Sequence, residues 1–133
     1  MVAMEYMLPH QVHTEYTTRL RARQAEGVFV SPAQVSIGEW APRANQCHEN
    51  VTVWCTNDQA FQIVRGWLYL DLAGRLPYEI FLAHSVVRDK DGALWDITPL
   101  QALERYPFIA ATESEAEYAA FVEQGAGRLL HYK

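Results

Sequence analysis

Apolar positions recur with helical spacing in three segments of the chain, and apolar runs or alternation typical of strands lie between them. The helical spacing predicts helices over residues 10–25, 46–57 and 112–124. The other patterns predict strands over residues 28–30, 35–37, 60–72, 78–88 and 93–98, then a short helix over 100–106 and an extended segment over 107–110. The last three strands follow one another as an antiparallel meander. Strands and helices are therefore segregated in sequence, which predicts an α+β fold.

The termini of the third helix carry recognisable signals. Thr112-Glu113-Ser114-Glu115 is typical of a capping box, in which a hydroxyl and a carboxylate satisfy the first free N–H groups of a helix. Gly125 follows the last apolar position of this segment and is expected to end the helix. In the predicted strand over residues 60–72, Gly66 is expected to mark a bulge or a close backbone approach.

Composition limits the class of protein. The chain has 133 residues, half of them apolar and a fifth charged, so we expect one domain, residues 1–133, that buries about two-thirds of its unfolded surface. The net charge of −5 argues against nucleic acid and anionic membrane as partners, since both reward a basic surface. No run of about 18 apolar residues occurs, and residues 1–9 lack a basic start, so neither a membrane span nor a signal peptide is predicted.

The two cysteines are expected to stay unpaired. Cys47 and Cys55 lie eight residues apart in one predicted helix, which separates them by about 12 Å, beyond the reach of a disulfide. Two free thiols suit a reducing compartment, and we expect a cytoplasmic location. Cys55 continues the apolar stripe of the helix, so it is expected to pack as a small hydrophobic residue.

Cys47 lies where its thiol can ionise. It follows a loop rich in helix breakers, residues 38–44, and opens the predicted helix whose apolar face includes Val51 and Trp54. Free N–H groups and the positive end of the helix dipole at this place favour an anion, so the pKa of the thiol should lie below the free value of about 8.5. A thiolate is the nucleophilic form of cysteine.

His84 and Asp96 flank a predicted hairpin. If Lys90, Asp91 and Gly92 form a three-residue loop with a left-handed glycine, Asp89 faces Ala93, and His84 and Asp96 become diagonal neighbours on one face, about 7 Å apart at Cα. A two-residue loop would place them on opposite faces. An aspartate beside a histidine fixes its tautomer, here expected through Nδ1, and leaves the other nitrogen for a thiol.

Four features of the central chain occur in a recognisable order, over about residues 45 to 99. They are Gln46-Cys47 at a helix start, the strand Ile63-Val64-Arg65-Gly66-Trp67, His84 within a strand, and Gly-x-x-Trp-Asp-x-Thr from Gly92 to Thr98. This order resembles the transglutaminase-like branch of the papain-like cysteine-enzyme superfamily. The resemblance implies a papain-like domain in which a helix carrying the nucleophile packs on an antiparallel sheet.

Matched residue by residue, Cys47 resembles the nucleophile of that family, His84 its strand histidine and Asp96 its aspartate. Two positions differ from the family's pattern. His48 stands where the enzyme transglutaminases carry Trp, and Ser85-Val86 replaces an aromatic usually found two residues after the histidine.

The expected function is hydrolysis, or acyl transfer, at a peptide or other small amide through a Cys47, His84 and Asp96 triad, without a cofactor. The Cys47 amide is one expected oxyanion donor, with Gln46 or Asn45 beside it and Gln34 as a more remote candidate. Trp40, in the loop before the cysteine, is the tryptophan expected to line a cleft; Trp54, Trp67 and Trp95 are expected to pack. The alternative is a non-catalytic binding or assembly module that keeps the fold, with Cys47 as a packing residue.

A metal site is not predicted. Cys47, His48, Cys55 and His84 are all ligand types, yet no Cys-x-x-Cys or His-x-x-His pair joins them, and the two sulfurs would lie about 12 Å apart in a helix. His10 and His13 form a second pair at helical spacing but lack a third ligand nearby. His48 and Glu49 are otherwise expected to be solvated residues of the first helical turn, where Glu49 gains from the dipole.

Overall fold

The computed structural model describes residues 14–71, 74–99 and 105–132. These residues form an α+β fold of three α-helices and a mixed six-stranded sheet, which confirms the predicted class. In chain order the elements are α1 (residues 14–22), β1 (Ser31–Pro32), α2 (Cys47–Asn57), β2 (Gln62–Leu70), β3 (Tyr78–Arg88), β4 (Leu94–Asp96), β5 (Phe108–Ala110), α3 (Glu115–Gly125) and β6 (Arg128–Tyr132). A single 3-10 turn, Gln24–Glu26, follows α1.

Strand β3 is the centre of the sheet. The strand order is β1-β4-β3-β2-β5, and β6 also pairs with β3. The antiparallel pairs β2–β3 and β3–β4 form the predicted meander, and β1 adds to β4 in parallel. Along the edge of β3 opposite β2, β6 pairs with Tyr78–Leu82 and β4 pairs with Val87 and Arg88. Between those two stretches this edge of β3 has no strand partner among the described residues.

The turn between β3 and β4 has the predicted three-residue form. Asp89 N–H donates to the Ala93 carbonyl at 2.9 Å, and Gly92 takes a φ of 87° in the left-handed region. The Asp89 carboxylate also accepts from the Asp91 and Ala93 amides, both at 2.9 Å. Val87 consequently faces Trp95, and continuing this register sets Asp96 opposite Val86, as predicted.

Three strand predictions need correction. Residues 28–30 are not a strand: Val28 makes an isolated bridge to Phe108, and the strand lies one step later at Ser31–Pro32. Pro32 is tolerated there because β1 is an edge strand. Residues 35–37 form no strand either, because Ile37 bridges Trp40 across a tight turn. Strand β6 was not predicted, since its apolar stretch is short and follows a helix end.

Both termini of α3 differ from the prediction. The N-cap is Ser114, whose hydroxyl accepts from the Glu117 amide at 3.2 Å, so the capping box lies two residues later than expected. Glu113, assigned to the box from sequence, instead accepts a hydrogen bond from the Tyr16 hydroxyl. Gly125 belongs to the helix, where a Cβ would lie 2.6 Å from Leu129. The left-handed residue that ends the helix is Ala126.

Two other helix predictions fall partly on residues that the structure does not describe. Helix α1 was predicted over residues 10–25 and covers 14–22 of the described chain, and the predicted pair His10 and His13 lies outside the described residues. The predicted short helix over 100–106 falls mostly on residues 100–104, which also lie outside the described residues. Arg105 and Tyr106 are not helical.

Helices α1 and α3 share one apolar core with the sheet. Trp67, Phe81 and Ile109 supply the strand side of this core, and Tyr16, Leu20 and Tyr118 supply the helix side. Helix α2 packs through Val51 against Val87 and Ile97 in a second cluster. A third cluster, Val64, Val86 and Phe108, lies on the opposite face of the sheet. The side chains of β3 therefore alternate between the face covered by α2 and the face that carries Val86.

Candidate active site

Helix α2 begins at Cys47, within one residue of the predicted start. Gln46 is its N-cap residue and makes no side-chain capping bond, and Asn45 adopts a φ of 64° before the helix. Because Cys47 is the first helical residue, its backbone N–H has no partner within the helix. The thiol thus lies beside free amides at the positive end of the helix dipole.

Asn50 holds this helix start in place. Its side chain is buried, accepts from the Arg43 amide at 3.0 Å and donates to the Arg43 carbonyl at 2.8 Å and to the Thr98 hydroxyl at 3.0 Å. The Thr98 amide in turn donates to the Asp96 carboxylate at 3.1 Å. One asparagine therefore joins the loop before Cys47 to the end of β4. The sequence analysis did not single out Asn50, because one polar residue on an apolar helix face has many interpretations.

The imidazole of His84 and the carboxylate of Asp96 are in direct contact. Nε2 of His84 donates to Oδ2 of Asp96 at 2.6 Å, and both side chains are about nine-tenths buried. The predicted shared face is confirmed. The ring is turned relative to the expectation, since Nε2 rather than Nδ1 meets the carboxylate. Nδ1 is then the nitrogen left for the thiol.

The thiol of Cys47 and the imidazole of His84 influence each other, although α2 and the His84 side chain lie on opposite faces of the sheet. Alternation along β3 directs Ser85 and Val87 to the face covered by α2 and His84 to the other face, yet His84 lowers the pKa of the Cys47 thiol, so the two groups lie close together. The edge of β3 between the β6 pairing and the β4 pairing has no strand partner among the described residues. This gap depends on the lengths of β4 and β6, which local sequence patterns do not encode.

The pKa of Cys47 is low for a buried thiol. Burial by itself raises it, but hydrogen bonds with His48 and His84, together with their charge, outweigh burial and lower the pKa to about 6. Burial lowers the pKa of His84, whereas the hydrogen bonds with Asp96 and Cys47 raise it, to about 9. Between these values the pair exists as thiolate and imidazolium, and the two protons belong to the pair as a unit.

The two positions that differ from the family's pattern contact each other. Nδ1 of His48 lies 2.6 Å from the Ser85 hydroxyl, which also accepts from the Arg65 guanidinium at 3.0 Å. Arg65 is held by Glu115 of α3 at 2.8 Å. From sequence, His48 was interpreted as a solvated residue. Its contact with Ser85 could not be predicted from the spacing of the two residues, because they lie in different elements, α2 and β3.

Tyr118 covers the other side of this cluster. Its ring packs edge-on against His48 at a centroid distance of 6.0 Å, and its hydroxyl donates to the Gly66 carbonyl at 2.7 Å. Burial first, then the negative charge of Cys47, raise the pKa of Tyr118 well above its ordinary value. Gly66 has the close approach predicted for it, since a Cβ there would lie 2.3 Å from the Ile109 carbonyl oxygen.

The remaining predicted site residues all lie before Cys47 in the chain. Gln46 and Asn45 are exposed residues just before Cys47, and Trp40 is half-buried in the turn that it forms with Ile37. Gln34 lines a groove of about 810 Å³ whose walls include Asp96 and Thr98. A smaller cavity of about 50 Å³ adjoins His84 and Asp96 and is lined mainly by apolar residues such as Val30, Leu68 and Phe108.

Cys55 and the aromatic residues behave as packing groups. Cys55 contacts the cluster around Val51, both cysteines are free thiols, and burial raises the pKa of Cys55. Trp67 is fully buried, and its indole donates to the Tyr16 hydroxyl at 2.8 Å. Among residues 14–71, 74–99 and 105–132, no three His, Cys, Asp or Glu side chains are grouped as metal ligands.

Comparisons with protein-family models, with curated proteins and with solved structures found no match to this chain. In the part of the chain that the structure describes, no helix is both long and apolar enough to cross a membrane.

Proposed function

We propose that this protein is a thiol-dependent hydrolase, or acyltransferase, for a peptide or small amide, built on a papain-like, transglutaminase-like arrangement. The observation that carries the proposal is the 2.6 Å hydrogen bond between His84 and Asp96 beside a cysteine that opens a helix, whose thiol has its pKa lowered by His84. A thiol, a base and a third group that orients the base are the components that nucleophilic catalysis requires. Cys55 in the same helix has no histidine among the causes that shift its pKa, and burial moves that pKa in the opposite direction.

The proposed reaction begins from the thiolate and imidazolium pair. The Cys47 sulfur forms a bond to the carbonyl carbon, and the π electrons move to the carbonyl oxygen, close to the free Cys47 amide. As the oxygen lone pair re-forms the carbonyl, the bond to the leaving nitrogen breaks and His84 gives that nitrogen its proton. Water, or an amine in the transfer reaction, then attacks the thioester carbon while His84 accepts its proton. The bond between this carbon and the Cys47 sulfur breaks, which releases the acid or the new amide and restores the thiolate. Asp96 remains ionised and orients the ring.

An activated ester tests this proposal. With p-nitrophenyl acetate at pH 7.5, we expect a burst of one nitrophenol per chain, an acetyl group on Cys47 detected by mass spectrometry, and its subsequent loss to water. Cys47→Ser should abolish the burst, and Cys55→Ser is the matched control that should retain it. His84→Ala should slow acylation by about 10²-fold or more, the usual contribution of a general acid–base group.

Equal reactivity of the two cysteines would contradict the proposal. If Cys47 and Cys55 acetylate at similar slow rates, and His84→Ala leaves the Cys47 rate unchanged, the protein is a non-catalytic binding or assembly module that has Cys47 as a packing residue. An acetyl group that forms rapidly on Cys47 but is removed by added amines and not by water would assign acyl transfer instead of hydrolysis.

A further inference from the structure

The segment that follows β1 has the side-chain pattern of a strand but is not part of the sheet. Exposure alternates along it: Ala33 and Val35 are half-buried, whereas Gln34 and Ser36 are exposed. Ala33 and Val35 pack against the apolar cluster between α2 and the sheet. A period of two is that of an extended chain. The same alternation led to the predicted strand over residues 35–37.

The backbone of this segment is open for hydrogen bonding. The bond from the Ala33 N–H to the Asp96 carbonyl, at 3.0 Å, ends the pairing between β1 and β4. The next backbone bond along the chain belongs to Ile37, which pairs with Trp40 across the turn. Within the described part of the chain, residues 34–36 have no backbone hydrogen bond to another residue. A row of unpaired N–H and C=O groups is a template for a further strand.

The same segment lines the groove of about 810 Å³ beside Asp96. Residues 97–99, which follow β4, line the groove as well, so the open backbone lies where the continuations of two paired strands border one space. Ala41 and Pro42 also line it. Prolines at positions 32, 42 and 99 stiffen these walls, because the proline ring fixes φ. The groove is thus preformed, and its volume is of the order that holds a ligand.

The charges of the groove limit what can bind there. Among the described residues that line it, Asp96 alone is charged, and its carboxylate already accepts from His84 and from the Thr98 amide. A charged group placed in the groove would lose water without gaining an opposite charge. An anionic chain such as a nucleic acid would in addition meet a carboxylate and no cation. The chemistry of the walls therefore fits an uncharged chain with its own N–H and C=O groups.

We propose that this groove docks an extended, uncharged segment of a peptide, which pairs as an added strand with the open backbone of residues 34–36. In strand addition, main-chain hydrogen bonds supply the affinity and the neighbouring side-chain pockets supply selectivity. The inference deepens the proposed function and rests on it for one point, that the docked peptide is the substrate. Asp96 belongs both to the groove and to the proposed triad, so the docked peptide lies next to the catalytic residues.

The direction of the open N–H groups predicts which residue pairs with the peptide. In an extended chain the N–H groups of successive residues point to opposite edges, and the Ala33 N–H points toward β4. Val35 therefore directs its N–H and C=O to the same side as Ala33, where residues 97–99 line the groove, and Gln34 directs its own groups to the other edge. Val35→Pro removes the donor on the groove side and is compatible with an extended chain. Gln34→Pro is the matched control on the other edge.

A pool of short peptides tests the inference on the full chain carrying Cys47→Ser, which cannot consume them by the proposed reaction. The pool is built from Ala, Val, Gln, Ser and Thr with both ends blocked, and it is added at about 1 mM so that a weak complex also forms. In ¹⁵N NMR spectra, the amide signals of Val35, Ser36 and Thr98 should shift. A second pool with methylated backbone nitrogens should leave these signals in place, because it lacks the donors of a strand. A third pool with Glu instead of Gln should shift them less.

Titrating the Thr98 signal with the first pool gives the affinity of each variant. Val35→Pro should weaken binding by about threefold to tenfold, the effect of one lost hydrogen bond. Gln34→Pro should change it by less than about twofold, because its N–H points away from the groove. Circular dichroism checks that both variants keep the fold. The methylated pool tests the same hydrogen bonds without any change in the segment.

Three results would overturn the inference. The first is no shift with the unmethylated pool, and the second is an equal shift with the methylated pool, which would mean that the groove binds apolar groups and not a strand. The third is a larger loss of affinity in Gln34→Pro than in Val35→Pro. Binding is measured apart from turnover: docking without acylation of Cys47 in the ester assay would remove the proposed function and leave the docking site, whereas acylation without docking would do the reverse.

Discussion

The asparagine that joins α2 to β4 gives the sharpest test of how the site is assembled. Replacing Asn50 by Ala removes three hydrogen bonds, of 3.0, 2.8 and 3.0 Å, without changing the helix in which the residue lies. Asn50 is 2% exposed and Thr98 is 7% exposed. Water therefore cannot fully replace the lost partner of Thr98, although the exposed backbone of Arg43 can be rehydrated.

The expected cost follows from these contacts. A net hydrogen bond between neutral groups contributes about 0.5 to 1.5 kcal/mol, and a buried group left without a partner costs about 1 to 3 kcal/mol. Counting the Thr98 contact as a buried loss and the two Arg43 contacts at the low end, and allowing for the small cavity, we expect a loss of about 2 to 4 kcal/mol. Alanine's better helix propensity offsets only a few tenths of a kcal/mol.

Urea unfolding followed by circular dichroism measures this loss. The matched control is Asn57→Ala, the same substitution at the exposed last residue of α2, which should change the free energy of unfolding by less than about 0.5 kcal/mol. A double-mutant cycle with Thr98→Val should give a coupling energy of about 0.5 kcal/mol or more, since the two side chains are in contact.

The same variant also tests the link to the thiol. With the loop and β4 no longer joined, the helix start should move relative to His84, and the alkylation midpoint of Cys47 should rise from about 6 toward the ordinary value of a thiol. A stability change in Asn50→Ala as small as that in Asn57→Ala would refute the reasoning on stability. A large stability loss with an unchanged midpoint would instead show that the triad is aligned without Asn50.

Two further predictions concern the sheet and the ion pair. Gly66→Ala should lower the free energy of unfolding by about 3 kcal/mol or more, because its Cβ would lie 2.3 Å from a backbone oxygen that β2–β5 pairing holds in place. The control is Gly38→Ala, where the space is open and only the φ of 59° is unfavourable, and it should lower the same free energy by about 1 to 2 kcal/mol in the same urea assay. Equal losses in the two variants would contradict the packing argument. Folding lowers the pKa of Cys47 to about 6, so its contribution to the free energy of unfolding is present above the unfolded pKa of about 8.5 and is lost as pH falls through 6. Folding raises the pKa of His84 to about 9, so its contribution is present below the unfolded pKa of about 6.5 and is lost as pH rises through 9. Between about pH 6.5 and 8.5 the pair holds one proton in both the folded and the unfolded state, so its pH dependence should cancel in the wild type. In Cys47→Ser only Asp96 is left to raise the pKa of His84, so this variant should lose stability as pH rises over this interval. Parallel curves for the two proteins would contradict the expectation that Asp96 by itself holds the pKa of His84 above its ordinary value.

Local sequence determined the elements that carry the three triad residues. The apolar spacing after Cys47 encodes a helix that begins at that residue, and Asp89 to Gly92 encodes a turn in which a left-handed glycine sets the register. That register brings His84 and Asp96 to one face, because side chains alternate with a period of two. Each of these statements depends on residues close together in the chain, so no tertiary information was needed.

The tertiary structure decided which groups surround the sulfur. His48 meets Ser85 across 37 residues and Asn50 meets Thr98 across 48, and β6 joins β3 although its own sequence is too short to predict a strand. The gap in the edge of β3 exists only because β4 and β6 pair with different stretches of that strand. Contacts between distant elements arise from how helices and strands pack, and the sequence pattern of either partner alone carries no record of them.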